Sequence, residues 1–171
     1  MVRIEVLTKD RFDEFYDVFT LLMKEGYESF SPALIKYFLS HDYSKPTYQF
    51  WLDRNFRRFL LAIDDNNKIV AFLIGDNTYG GVGFISWVGV IPQFRGKGIG
   101  KMLMVDYEVF CKSKKGHLLE LFAHNKVKPF YEKLGFKEIG RRTSGFYGAK
   151  NIIMDKAIGD WNDNNLSMSE I

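Results

Sequence analysis

The chain has 171 residues, of which 46% are hydrophobic and 26% are charged, and its formal net charge is +3. This length and composition are typical of a globular domain with a sizeable core, and so mild a charge argues against a nucleic-acid-binding protein. One cysteine is present, which excludes an intrachain disulfide framework, and no apolar run approaches the ~20 residues of a membrane span. We therefore expect a cytoplasmic protein with neither nucleic acid nor membrane as a partner.

The N-terminal third of the chain predicts one strand and at least two helices. Residues 2–7 alternate as in a half-buried strand, and apolar residues recur at helical spacing over residues 12–23. Ser31 followed by Pro32 is typical of the start of a second helix. The aromatic-rich segment 41–55 is compatible with either a further short helix or an ordered loop.

The rest of the chain predicts a run of antiparallel strands, followed by strands that alternate with helices. The predicted strands span residues 57–63, 68–74, 82–91, 117–122, 136–142 and 151–158. The predicted helices span residues 99–115 and 129–134. This order indicates an α/β fold with a central, mixed, mostly antiparallel sheet of seven strands flanked by about four helices. We expect a single domain over residues 1–158 and a polar C-terminal tail over residues 159–171.

The stretch 88–101 combines the end of a strand, a proline turn, a glycine-rich basic loop and the start of a helix. A helix that begins there directs four unpaired N–H groups and the positive end of its dipole outward, which suits a phosphate group. Arg95, Lys97 and Lys101 add full positive charges. The two common phosphate loops do not fit. No Ser or Thr follows the glycines to hold Mg²⁺, and the third glycine of the dinucleotide fingerprint would fall at Lys101.

The pattern that does fit is Arg95-x-x-Gly98-x-Gly100. It resembles the acyl-CoA pyrophosphate loop of the GNAT superfamily of N-acetyltransferases, which reads Gln/Arg-x-x-Gly-x-Gly/Ala after a Val-x-Pro strand end. Gln93-x-x-Gly96-x-Gly98 also matches, two residues earlier. We prefer the register that begins at Arg95, because Gly100 then falls where the helix of the family begins.

A second part of the chain carries the same resemblance. Glu120 on a Leu-Glu-Leu strand, Asn125, and Tyr131 before Glu-Lys-Leu-Gly-Phe are similar to the Leu-Glu-Val, Asn and Tyr-Glu-x-x-Gly-Phe elements of the family. The interval from Asn125 to Tyr131 is a residue shorter than in many relatives and contains Pro129. The resemblance extends over about residues 57–156.

The resemblance implies an N-acetyltransferase that transfers the acetyl group of acetyl-CoA directly to a primary amine in a ternary complex. It makes Glu120 the candidate general base and Tyr131 the candidate general acid for the departing CoA thiolate. The three histidines lack metal-ligand spacing, and no Gly-x-Ser-x-Gly elbow supplies a nucleophile, so we expect no metal and no covalent enzyme intermediate. The expected acetyl-CoA contacts are Val88, Gly89, Val90, Arg95, Gly96, Lys97, Gly98, Ile99, Gly100, Lys101 and Asn125.

Other interpretations of these residues stay open. Glu120 on a half-buried strand is also compatible with a simple ion pair, and Tyr131 with core packing. The fallback candidates are Asp76, Tyr79 and Ser86, which lie beside or on the central strand.

Other functions are open as well. A non-catalytic acyl-CoA sensor on the same fold would keep the loop and need neither base nor acid. In the family, the first helices form one wall of the acceptor site, so segment 41–55 either shapes substrate choice or adds aromatic packing. The sequence leaves the amine acceptor undetermined, and a homodimer is compatible with it.

Overall fold

The computed structural model describes residues 1–26 and 30–163. Its seven strands are β1 Arg3–Val6, β2 Arg57–Ile63, β3 Ile69–Asp76, β4 Val82–Val90, β5 Leu118–Ala123, β6 Lys137–Arg142 and β7 Asn151–Ala157. Its α-helices are α1 Phe12–Gly26, α2 Pro32–Ser40, α3 Lys45–Asp53, α4 Ile99–Ser113 and α5 Lys128–Lys133.

The strands form one sheet in the order β1-β2-β3-β4-β5-β7-β6. All neighbouring strands are antiparallel except β4 and β5, which are parallel and are joined through α4. This confirms the predicted seven-stranded, mostly antiparallel sheet. The β4–α4–β5 crossover places the beginning of α4 at the carboxyl end of β4, where the glycine-rich loop lies.

Within the described residues the sheet carries five helices rather than about four, because the aromatic segment contains α3. Ser44 has extended backbone angles at the N-cap, and Pro46 lies in the first turn, as expected for a helix start. Tyr48 of α3 is fully buried, and its ring centroid lies 4.8 Å from that of Phe19 and 5.8 Å from that of Phe59. Burial of this aromatic face against α1 and β2 therefore explains why the segment forms a helix and not a loop.

Each face of the sheet has its own core. The core between the sheet and α4 includes Ile85, Leu103, Tyr107, Cys111 and Met154. The core on the opposite face packs α1, α2 and α3 against β2 and β3, and is rich in aromatic side chains. Helix α4 therefore lies on one face of the sheet, and the first three helices lie on the other.

The C-terminal tail is described as far as Asp163. Trp161 lies against His117 at the start of β5, with ring centroids 5.3 Å apart, so this part of the predicted tail contacts the sheet. Residues 164–171 of that tail lie outside the described residues. In the described part of the chain, no helix has the length and apolar character needed to cross a membrane.

Candidate active site

Strands β4 and β5 separate in the middle of the sheet. They pair from Val82–Leu118 to Ile85–Leu121 and no further, although β4 continues along β3 to Val90 and β5 continues along β7 to Ala123. The separation begins at a β-bulge, where Ser86 has no opposite residue on β3. Since a bulge bends its strand and increases the local twist, Ser86 explains why β4 leaves β5 at this point. We call the resulting gap, bordered by residues 86–90 and 122–123, the β4–β5 opening.

The glycine-rich loop lies at the end of β4 and leads into α4. Gly98 is the N-cap of α4 and has a φ of 78°, in the left-handed region that favours glycine. The first bond of the helix runs from Met102 N–H to the Gly98 carbonyl over 3.1 Å, so the four preceding N–H groups have no acceptor within the helix. A Cβ atom added at Gly96 or Gly98 would meet no heavy atom within 4 Å. The loop is therefore exposed, with open space beside Gly96 and Gly98.

Three exposed cations surround these N–H groups: Arg95, Lys97 and Lys101. Arg95 Nε donates to the Val90 carbonyl over 2.9 Å, and Lys97 Nζ lies 5.0 Å from the ring centroid of Phe94. In residues 1–26 and 30–163, no carboxylate forms an ion pair with any of the three. Backbone donors, the helix dipole and unneutralised cations together suit a pyrophosphate group.

Two other glycines of the predicted acetyl-CoA contacts have packing roles. A Cβ at Gly89 would lie 2.8 Å from Leu22 of α1 and 2.9 Å from Phe72 of β3. A Cβ at Gly100 would lie 3.2 Å from Phe130 of α5. Gly89 thus lets α1 approach β4, and Gly100 lets α5 approach the first turn of α4.

Glu120 lies on β5, in register with Phe84 of β4 and opposite Asp155 of β7. Its side chain is half-buried and points away from α4, since Leu119 and Leu121 face the α4-side core. The alternative interpretation required a Lys or Arg partner, but among the described residues Glu120 has no ion pair. The carboxylate is therefore available near the start of the β4–β5 opening.

Tyr131 lies on α5, on the α4 side of the sheet. Its ring packs against Phe130 and Phe136, with centroid distances of 5.0 and 5.9 Å. Burial raises the pKa of Tyr131 to about 12, so the hydroxyl stays protonated at neutral pH. Because Phe130 also reaches Gly100 at the beginning of α4, Tyr131 lies at the same end of the sheet as the glycine-rich loop. Glu120 and Tyr131 are thus on opposite faces of the sheet.

The remaining candidates lie in different places. Asn125 is exposed in the turn before α5, and its Oδ1 accepts from Arg141 Nη1 over 3.3 Å. Asp76 forms an ion pair with Arg57, and Tyr79 is 91% exposed. Asp76 and Tyr79 are at the end of the sheet away from the opening, which leaves Ser86, the bulge residue, as the fallback candidate that borders it.

The sequence matches the model of the acetyltransferase (GNAT) family over residues 16–136. The chain belongs to this family. That span contains β2 to β5, the glycine-rich loop and α4, so the family assignment rests on the elements that form the β4–β5 opening. The resemblance inferred from the loop and from the Tyr-Glu-x-x-Gly-Phe element is confirmed.

The chain is also similar to individual N-acetyltransferases, in sequence to one and in fold to two. Glucosamine 6-phosphate N-acetyltransferase of Trypanosoma brucei brucei is 45% identical over 56 residues, which are 33% of this chain and 38% of that relative. The PaiA N-acetyltransferase of Thermoplasma acidophilum, solved in complex with coenzyme A, has a TM-score of 0.77 and 21% identity over 92% of this chain and 99% of its own. An aminoglycoside 6'-N-acetyltransferase complexed with coenzyme A has a TM-score of 0.71 and 19% identity over 94% and 99%. The two structural similarities establish the fold.

Of the aromatic surroundings of the opening in this GNAT protein, the sequence indicated segment 41–55, which contains Tyr43, but not Trp87 or Phe30. On the face opposite α4, Trp87 of β4 lies 5.2 Å from Tyr43 and 6.4 Å from Phe30, measured between ring centroids. Phe30 also lies 6.5 Å from His124, which follows β5. The pattern of β4 marks Trp87 only as a strand residue, because the bulge at Ser86 that sets its direction has no clear sequence signal.

Proposed function

We propose that this GNAT protein transfers the acetyl group of acetyl-CoA directly to a primary amine in a ternary complex. The observation that carries the proposal is the β4–β5 opening, which leads into a loop of unpaired N–H groups and unneutralised cations. The glycine-rich loop alone would support only anion binding. The two together suit a long cosubstrate with a pyrophosphate at one end and a reactive thioester at the other.

In this proposal the loop from Arg95 to Lys101 holds the pyrophosphate through its N–H groups and side-chain cations. The unpaired edge of β4, residues 88–90, binds the pantetheine arm by strand-like hydrogen bonds. Asn125 is a weaker candidate for a contact, because its side-chain oxygen already accepts from Arg141.

Glu120 and Tyr131 divide the proton transfers. An amine must be neutral to attack a thioester, yet a lysine side chain titrates near ~10.4 and an α-amine near ~8. Glu120, which has no cationic partner among the described residues, removes the proton directly or through a water. Tyr131, kept protonated by its desolvated surroundings, donates to the departing thiolate from the other side of the sheet. A backbone N–H near Val90 stabilises the oxyanion.

The curated relative named for glucosamine 6-phosphate aligns with only 38% of its own length. We therefore propose no acceptor from that name. The free thiol of Cys111 is compatible with the reducing cytoplasm, which we propose as the compartment of this protein.

A non-catalytic acyl-CoA sensor is the competing function. Calorimetry with acetyl-CoA, followed by a thiol-release assay with peptides, amino sugars, amino acids and diamines, separates the two. We expect binding and release for the wild type, and a loss of turnover without a loss of acetyl-CoA affinity for Glu120→Gln. Glu5→Gln on β1, which removes the same charge far from the opening, is the matched control. Binding without release for any amine would favour the sensor, and no binding would refute the proposed cosubstrate site.

A further inference from the structure

Arg142, the last residue of β6, contacts two aromatic rings. Its Cζ lies 4.6 Å from the ring centroid of Phe122 and 5.8 Å from that of Phe146, and the two rings are 6.2 Å apart. Its Cδ also lies close to Gly145, since a Cβ added at Gly145 would be 3.6 Å away. These contacts restrict the position of a side chain that would otherwise move freely on the surface.

The guanidinium of Arg142 lacks a counter-ion. The adjacent Arg141 pairs with Glu138 through Nε at 2.5 Å and Nη2 at 2.9 Å. The Arg142 side chain, by contrast, has neither an ion pair nor a hydrogen bond with any described residue. Ring contacts occupy the faces of a guanidinium and leave its in-plane N–H donors available, and these donors match a carboxylate or a phosphate.

This cation lies on the same side of the sheet as Glu120. Phe122, over which Arg142 stacks, is the first residue of β5 beyond its last pair with β4. Phe122 is two residues after Glu120 and therefore faces the same way, roughly 7 Å further along the strand. Phe84 of β4, whose ring centroid lies 5.1 Å from that of Phe122, extends this apolar surface on the β4 side of Glu120.

We propose that Arg142 determines acceptor specificity by binding an oxyanion on the acceptor, while Glu120 receives the proton of its amine. The acceptor is then a small amine that carries a carboxylate or a phosphate a few bonds from the nitrogen. A di- or polyamine would instead place a second cation against the guanidinium. This inference rests on the proposed acetyltransferase function and extends it to a substrate class.

The test compares paired acceptors: glucosamine with its 6-phosphate, and β-alanine with its amide, together with a diamine. We expect the wild type to have the higher kcat/KM for the anionic member of at least one pair, and that pair distinguishes phosphate from carboxylate. Arg142→Met should lower kcat/KM for the anionic member about 10- to 100-fold, as expected for the loss of a charge-assisted hydrogen bond. The kcat/KM for the uncharged member should not change. Arg142→Lys should restore part of the loss for the anionic member. The matched control is Arg54→Met, which removes an arginine stacked on Phe50 near the start of β2, at the other end of the sheet.

Equal losses for both members of a pair in Arg142→Met would assign Arg142 a structural role and overturn the proposal, as would a wild-type preference for uncharged amines or the diamine. If no amine is acetylated, the transferase function itself fails. Calorimetry of the anionic amines against the CoA-loaded protein then still tests Arg142. If Arg142→Met binds the anionic amines more weakly than the wild type and Arg54→Met do, the result supports an oxyanion site. If the wild type and Arg142→Met bind them equally, or neither binds them, the proposal is overturned.

Discussion

Replacing Gly98 by alanine is expected to weaken acetyl-CoA binding while the protein stays folded. Gly98 has a φ of 78°, and a non-glycine residue in this region costs roughly 1–2 kcal/mol. The added methyl group meets no protein atom within 4 Å, so no steric clash adds to this cost. For a domain of this size, the unfolding midpoint should fall by roughly 2–8 °C.

The effect on the ligand is expected to be larger, because the methyl group lies at the N-terminus of α4, among the N–H groups that we assign to the pyrophosphate. Loss of one charge-assisted hydrogen bond, about 1.5–3 kcal/mol, raises the Kd roughly 10- to 100-fold. Calorimetry gives the Kd, and thermal unfolding without ligand gives the stability.

Gly80→Ala is the matched control for this experiment. Gly80 has a φ of 58°, and a Cβ added there also meets nothing within 4 Å, but it lies in the β3–β4 connection, away from the opening. We expect a similar loss of stability and an unchanged Kd. Equal acetyl-CoA affinities in the Gly98 and Gly80 variants would refute the assignment of the loop.

Two further predictions concern Tyr131 and Cys111. Tyr131→Phe should lower kcat at least about tenfold, as for a general acid, with little change in acetyl-CoA affinity. Because burial raises the pKa of Tyr131 to about 12, a pH–rate profile of the wild type should show no loss of rate from its ionisation between neutral and mildly alkaline pH. Tyr79→Phe, far from the opening, is the control, and unchanged turnover in Tyr131→Phe would remove this residue from the mechanism. Burial raises the pKa of the Cys111 thiol to about 11, so the native protein should react with a thiol reagent far more slowly than the unfolded protein. Rapid reaction of the native thiol would contradict its burial.

The sequence by itself determined the strands, the glycine-rich loop and the family. These features have local signals: apolar alternation for β2 and β3, and glycines that a left-handed turn requires at Gly96 and Gly98. In segment 41–55 the local signal is weak: Ser44 and Pro46 are compatible with a helix start, but the aromatic residues fit a helix and a loop equally well. Burial of Tyr48 against α1 decided in favour of α3, and no local pattern contains that contact.

Only the tertiary structure decided how the candidate site is built. The bulge at Ser86 opens the sheet between β4 and β5, and it exists only because β4 is paired with β3. Arg142 is far from Phe122 in sequence, and the strand order β5-β7-β6 brings the two together. The sequence also could not determine that Glu120 lacks a cationic partner in the described structure. Partners of this kind depend on strand register and on non-local pairing, whereas periodicity and backbone preferences act between neighbours in the chain.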